Sequence, residues 1–210
     1  MEVSATELSA GYAHSEYFYK SPDGQLVFWC PVTGTMTENT EYPRCELREV
    51  IDPEDDNVCW AAPGMHVLQV RCRVSEVPSS KKVIIGQIHG YSGKANPLIK
   101  LQFFKGRLEA LVKEKASKGK DIKLTFPDVG LDTDFDYEIK LQDGLLSVTV
   151  NGSTQSVNAF ENDPEWAKQT LYFKVGAYTQ DNEGPVTEGG RVSFSSFKVT
   201  HSADKDAARK

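Results

Sequence analysis

The chain is poor in helical signals. Windows with apolar residues at i, i+3, i+4 and i+7 are scarce. The best short candidates are Asp163–Gln169, which opens with Asp-Pro, and the C-terminal tail. Long apolar runs are missing as well. Stretches such as Val83-Ile84-Ile85 are strand-sized, well short of the ~20 residues a membrane span needs, so no membrane partner is expected. No internal repeat and no Pro/Gly/Ser linker divides the 210 residues, a length that suits one domain better than two. The expected domain is 1–210, with a core of about 12–200 and a polar tail that frays. No basic–apolar–small pattern opens the chain, although a mature form that had lost its leader would look the same.

Excess positive charge is also absent. The net charge is −6, which argues against nucleic acid as a partner. The four cysteines, Cys30, Cys45, Cys59 and Cys72, include no CxxC pair, so neither a zinc site nor a thioredoxin-like site is expected. Each lies in or beside a strand-like run and reads as a buried thiol. One disulfide, for instance Cys45–Cys59, stays open.

What the chain does have is strands. Gln25–Cys30, Arg44–Val50, His66–Val74, Val83–His89, Leu98–Phe104, Arg107–Val112, Asp136–Leu141, Leu145–Val150, Leu171–Gln180 and Arg191–Thr200 alternate or are rich in Val, Ile, Phe and Tyr. Asp143-Gly144 and Asn151-Gly152 read as tight turns. Lys113–Lys123 reads as a basic loop or hairpin end. Many short strands without intervening helices predict an all-β fold, an antiparallel two-sheet jelly roll.

Parity then sorts the side chains, because alternate residues of a strand share a face. Arg44, Glu46 and Arg48 fall on one face of their strand, opposite Cys45, Leu47 and Glu49. Gln87 and His89 share a face, opposite Ile88. Tyr172, Lys174, Gly176, Tyr178 and Gln180 share one, opposite Phe173, Val175 and Ala177. Lys100 and Gln102 share one, opposite Ile99, Leu101 and Phe103. These wet faces are rich in Arg, Lys, Gln, His and Tyr, with Glu46 as their carboxylate. If the strands are neighbours, they form a basic groove inside an acidic protein, suited to an extended anionic ligand. Glu46 reads as the partner that orders Arg44 or Arg48. Glycoside hydrolysis needs two acids on one groove face, so hydrolysis is disfavoured. His14, His66 and His201 receive no role.

The same strands carry a family resemblance. Arg44-Cys45-Glu46-Leu47-Arg48-Glu49 resembles the R-(S/T)-E-L-R-E motif of polysaccharide lyase family 7, the alginate lyases. Gln87-Ile88-His89 resembles its Q-(I/V)-H motif, and Tyr172 to Gln180 resembles Y-F-K-A-G-x-Y-x-Q. The similarity runs from about Tyr17 to Val199. Cys45 stands where Ser or Thr is usual, and Thr179 where Asn is common. Both face away from the groove by parity.

The resemblance implies a jelly roll with a concave substrate groove and alginate, an anionic polysaccharide, as the partner. It implies Arg44, Gln87, His89 and Tyr178 as the catalytic group, with Arg48, Lys174 and Gln180 lining the subsites beside Glu46. Lys100 and Gln102 join them mainly by parity. No metal, nucleotide or redox cofactor is expected. The expected action is β-elimination, endo, favouring guluronate-containing blocks, by a monomer that is secreted or periplasmic, with a cytoplasmic location left open. The segment 90–97 reads as either a lid or an ordinary connection. Two alternatives stand beside this: a glucuronan or other polyuronate lyase on the same fold, and a non-catalytic carbohydrate-binding jelly roll.

Overall fold

The computed structural model describes residues 2–36, 40–55, 57–91, 96–117 and 119–202. Residues 203–210 of the C-terminal tail and 92–95 of the 90–97 segment lie outside them, while His201 and Ser202, expected to fray with the tail, end the last strand.

Fourteen strands and short helical turns make up the described residues. One sheet contains β1 (Phe18–Lys20), β2 (Leu26–Pro31), β14 (Gly189–Ser202), β5 (Met65–Glu76), β10 (Asp134–Gln142), β11 (Leu145–Val150) and β12 (Ser153–Asn158), in that spatial order. The second runs β3 (Arg44–Arg48), β13 (Thr170–Thr179), β6 (Lys82–Gly90), β7 (Pro97–Phe104), β8 (Leu108–Lys113) and β9 (Asp121–Phe126), with β4 (Trp60–Ala61) also on β13. All pairings are antiparallel, as a jelly roll requires. No described helix is long and apolar enough to cross a membrane.

The ten expected strands are present, with ends shifted by a residue or two. Four were not foreseen: β1, β4, β9 and β12. β12 is a polar edge strand with no hydrophobic alternation to reveal it. Of the two readings of Lys113–Lys123, the hairpin end holds: β8 pairs antiparallel with β9, with Lys113 opposite Asp121, and the last residues of the stretch already belong to β9. Asp163 caps a 3-10 turn at Pro164–Lys168, where a short helix was expected. Two further short helices, α1 (Ala5–Ser9) and α2 (Ala159–Asn162), escaped the periodicity test because neither is two turns long.

The core lies between the sheets. Phe28, Leu68, Phe135, Ile139 and Phe194 of the first sheet meet Val83, Ile88, Phe103, Phe173 and Ala177 of the second. Each fully buried Phe, Leu or Ile contributes about 1.5–3 kcal/mol through its loss of water contact. A polar side chain reaches across this core. The Tyr137 hydroxyl donates to the Ile85 carbonyl at 3.0 Å. A Cβ on Gly86 would sit 2.7 Å from that hydroxyl oxygen, so the site strand β6 needs glycine there. The four cysteines are free thiols, and the Cys45–Cys59 pairing is not formed.

Candidate active site

The outer face of the second sheet collects every expected site residue. Its first four strands, β3-β13-β6-β7, are those singled out by parity, and they are direct neighbours. Register aligns them across the sheet. Arg48 pairs with Lys174, Lys174 with Gln87, and Gln87 with Lys100. One side chain per strand therefore forms a transverse row with strands about 4.8 Å apart. Beside it, Arg44 pairs with Tyr178 and Tyr172 with His89.

Glu46 is the hub of this face. Its side chain is only 3% exposed. It accepts from Gln87 Nε2 at 2.5 Å and Lys174 Nζ at 2.5 Å, with Arg44 Nη1 3.6 Å away. The expected ordering of Arg44 is present. The stronger partners, however, are Lys174 and Gln87, on two other strands. Arg48 instead lies over the Tyr172 and Tyr91 rings, 4.3 and 5.1 Å from their centroids, with Nη2 3.6 Å from Cys59 Sγ. A buried carboxylate survives when its charge is met in this way.

Gly176 sets the spacing between β3 and β13. It pairs with Glu46, has φ +150°, and sits where the register shifts between Val175 and Tyr178. A Cβ there would lie 2.3 Å from the Cys45 carbonyl oxygen and 2.6 Å from Glu46 Cα. Only glycine lets the two backbones approach so closely.

His89 is held in a defined tautomer. Its Nδ1 lies 2.8 Å from the Gly90 carbonyl oxygen, which can only accept, so Nδ1 carries the hydrogen. Nε2 is left as the acceptor atom of the neutral ring. Burial pushes the His89 pKa below its ordinary value, and the charges of Lys174 and Arg44 push the same way. Tyr172 stacks on the ring at 5.5 Å. The arrangement is a neutral base among cations.

Two donors await partners. Arg44 Nε and Gln180 Nε2 are buried without a hydrogen-bond partner among the described residues. Buried N–H groups left this way are rare, and a ligand that supplies oxygen atoms satisfies them. Lys100 is half-buried and its pKa is lowered, chiefly by burial. Gln102 is buried and donates to Glu109 at 3.4 Å. Glu109, an acid on the fifth strand, pairs with Arg107 at 2.8 Å and Lys123 at 3.1 Å. Its strand was expected, but not the place of that strand beside β7, which sets Glu109 opposite Gln102. Tyr91 and Cys59 were missed because they lie off the site strands. Cys45 and Thr179 turn away, bonding to the Tyr17 and Cys30 carbonyls. Among the described residues no group of three or more His, Cys, Asp or Glu is placed to hold a metal ion.

Known proteins share this architecture and sequence. The family model described as alginate lyase matches residues 1–201. The chain belongs to the alginate lyase family. Its fold matches the crystal structure of alginate lyase A1-II', a member of polysaccharide lyase family 7, with TM-score 0.92 and 37% identity, over 96% of this chain and 90% of that one. The alginate lyase PA1167 from Pseudomonas aeruginosa is 41% identical, with TM-score 0.87, over 95% of this chain and 92% of its own. An alginate lyase from Klebsiella pneumoniae is 27% identical over 97% of this chain and 84% of its own. Variants of A1-II' have been crystallised with a product (GGG) and with a substrate (GGMG). The protein is thus a polysaccharide lyase with the family's jelly-roll fold.

Proposed function

We propose that this lyase cleaves 1,4-linked alginate by β-elimination, with His89 and Tyr178 moving the protons. The observation that carries this reading is the His89 tautomer. Its Nδ1 hydrogen is committed to the Gly90 carbonyl, which leaves Nε2 as a base. The C5 proton of a uronate is weakly acidic, and its removal builds negative charge on the adjoining carboxylate. Arg44, with an unspent Nε donor, and Gln87, with two N–H groups on its amide nitrogen, neutralise or bond that carboxylate.

At guluronate, His89 Nε2 takes the C5 proton. The C–H electron pair becomes the C4–C5 double bond, and O4 departs with a proton from the Tyr178 hydroxyl. At mannuronate, proton and leaving group lie on the same side, and Tyr178 serves both ends. Arg48, Lys174 and Gln180 line the subsites, with Glu46 ordering Lys174, and Lys100 and Gln102 extend that lining toward β8. The reaction as written needs no metal or redox group. The whole chain acts as one catalytic domain, a monomer that cuts internally, favours guluronate-containing blocks and works outside the cytoplasm.

The test is ultraviolet absorbance of the unsaturated uronate, with poly-guluronate, poly-mannuronate and polyglucuronate offered separately. A faster rise with poly-guluronate is expected. A rise only with polyglucuronate keeps the chemistry and changes the substrate. No rise with any of them, in folded protein, rejects the reading.

A further inference from the structure

The arginine strand is held from behind by groups that the mechanism does not use. Glu49 follows Arg48, and its carboxylate bonds on the opposite side of the strand. Oε2 accepts from the Trp60 indole N–H at 2.8 Å and the Phe173 backbone N–H at 2.9 Å. Oε1 lies 2.5 Å from His201 Nε2. His201 Nδ1 lies 2.8 Å from His66 Nδ1, and His66 Nε2 lies 3.1 Å from the Pro63 carbonyl. A series of contacts thus joins a carbonyl, two imidazoles and a carboxylate. Trp60 stacks on the His66 ring at 4.0 Å, and Phe173 stacks on His201 at 6.0 Å.

Proton counting defines its state. The Pro63 carbonyl only accepts, so His66 Nε2 carries a hydrogen. The Glu49 carboxylate also accepts, so His201 Nε2 carries another. Between the two facing Nδ1 atoms a single hydrogen makes the bond. The pair therefore holds one neutral imidazole and one imidazolium against one carboxylate. Burial pushes His66 toward the neutral form. Burial alone would raise Glu49, but its bonds from His201, Phe173 and Trp60 outweigh that and hold it below the usual carboxylate range. His201 is the ring that meets the Glu49 carboxylate.

We propose that His66 and His201 form a proton-dependent clasp that positions Arg44 and Arg48 by pinning Glu49, and with it the end of β3, against β13. The strand needs such a pin. β3 spans Arg44–Arg48, lies at the sheet edge and, among the described residues, pairs only with β13. Glu49 N–H donates to the Phe173 carbonyl at 2.9 Å while its side chain accepts from the Phe173 N–H, which closes a ring on one residue. A one-residue slip would turn both arginines away from the substrate. His201 lies on β14 and His66 on β5, so the clasp ties the site strand to the other sheet. The groups facing the pair are Glu49 beside β3, Trp60 of β4 and Phe173 of β13, and of these only Glu49 is charged. Adding a proton sets N–H against N–H between the rings. Removing one sets lone pair against lone pair. Both His66 and His201 are positioning residues, since neither lies on the substrate face.

The inference rests on the lyase reading only for its activity arm. The spectroscopic arm is proton NMR of the whole chain with labelled histidine. A ring N–H resonance far downfield of the amides is expected, lost in both His66→Phe and His201→Phe and kept in His14→Gln. In the activity arm, both Phe variants lower kcat on alginate, on the order of tenfold to a hundredfold, because the arginines are misplaced. KM changes less. His201→Gln, whose amide still donates to Glu49, recovers part of the loss. The wild-type kcat profile has a limb at the pH where the downfield proton disappears, and the Phe variants lack it. Two independent histidine titrations without a downfield proton would overturn the clasp. So would Phe variants with wild-type kcat and pH profile. If a Phe variant does not fold, the wild-type resonance and His201→Gln still decide. A downfield proton in a wild type inactive on every uronan rejects the lyase reading and leaves the hydrogen-bonded pair standing.

Discussion

The Arg44 guanidinium lies over the Tyr178 ring, with Cζ 3.9 Å from the ring centroid. The cation proposed to bind the carboxylate and the proposed proton donor are thus one packed unit. Stacking of this kind favours Arg over Lys, because a planar guanidinium is weakly hydrated and matches the ring. It also places positive charge beside the hydroxyl proposed to give its proton to O4.

Tyr178→Phe keeps the ring, and with it the contact to Arg44, but removes the hydroxyl. Turnover on alginate is expected to fall at least a hundredfold, while affinity measured by calorimetry changes little. Equal loss of binding and turnover would remove Tyr178 from the chemistry.

His89 leads to a pH prediction. Its pKa in the folded protein is lowered, first by burial and then by Lys174 and Arg44. The neutral base therefore persists below its ordinary value of 6.5. The acid limb of kcat/KM is expected below that value, and His89→Asn should remove activity at every pH. The sign for stability agrees. The neutral ring is favoured in the folded state, so its contribution is present above the unfolded value and is lost as pH falls through the folded one. Thermal melts across the acid range check this.

Gly176→Ala tests the packing of β3 on β13. A Cβ would meet backbone atoms of Cys45 and Glu46, which cannot swing aside. The expected cost is about 2–4 kcal/mol of stability, read by denaturant unfolding, with activity lost further because Arg44 is displaced. Gly152→Ala separates the two effects: nothing lies within 4 Å of its Cβ position, so it carries only the strain of its φ of +84° and should cost less than Gly176→Ala.

Salt separates local from global charge. The protein carries net charge −6, yet the site row presents Arg48, Lys174 and Lys100. Affinity for a long polyuronate should weaken as ionic strength rises, since exposed charges are screened beyond about 8 Å at physiological salt. An affinity that stays flat with salt would mean that the basic row does not contact the polymer.

Much of this site was visible in the residues alone. Period-two alternation assigned Arg44, Glu46, Arg48, Gln87, His89, Lys174 and Tyr178 to one side of their strands, because side-chain direction in a strand is a local property. It equally turned Cys45, Ile88 and Thr179 inward. Three motifs in order then pointed to the family. Which strand lies beside which is not local. Only the folded sheet placed β13 between β3 and β6, so that Glu46 met Lys174 and Gln87 as well as Arg44. Only the fold brought His66 to His201, 135 positions away, and turned two histidines without an evident role into partners of Glu49. Parity says which side a residue faces. The neighbour it meets there is decided by strand order and register, which depend on how both sheets close over a shared core.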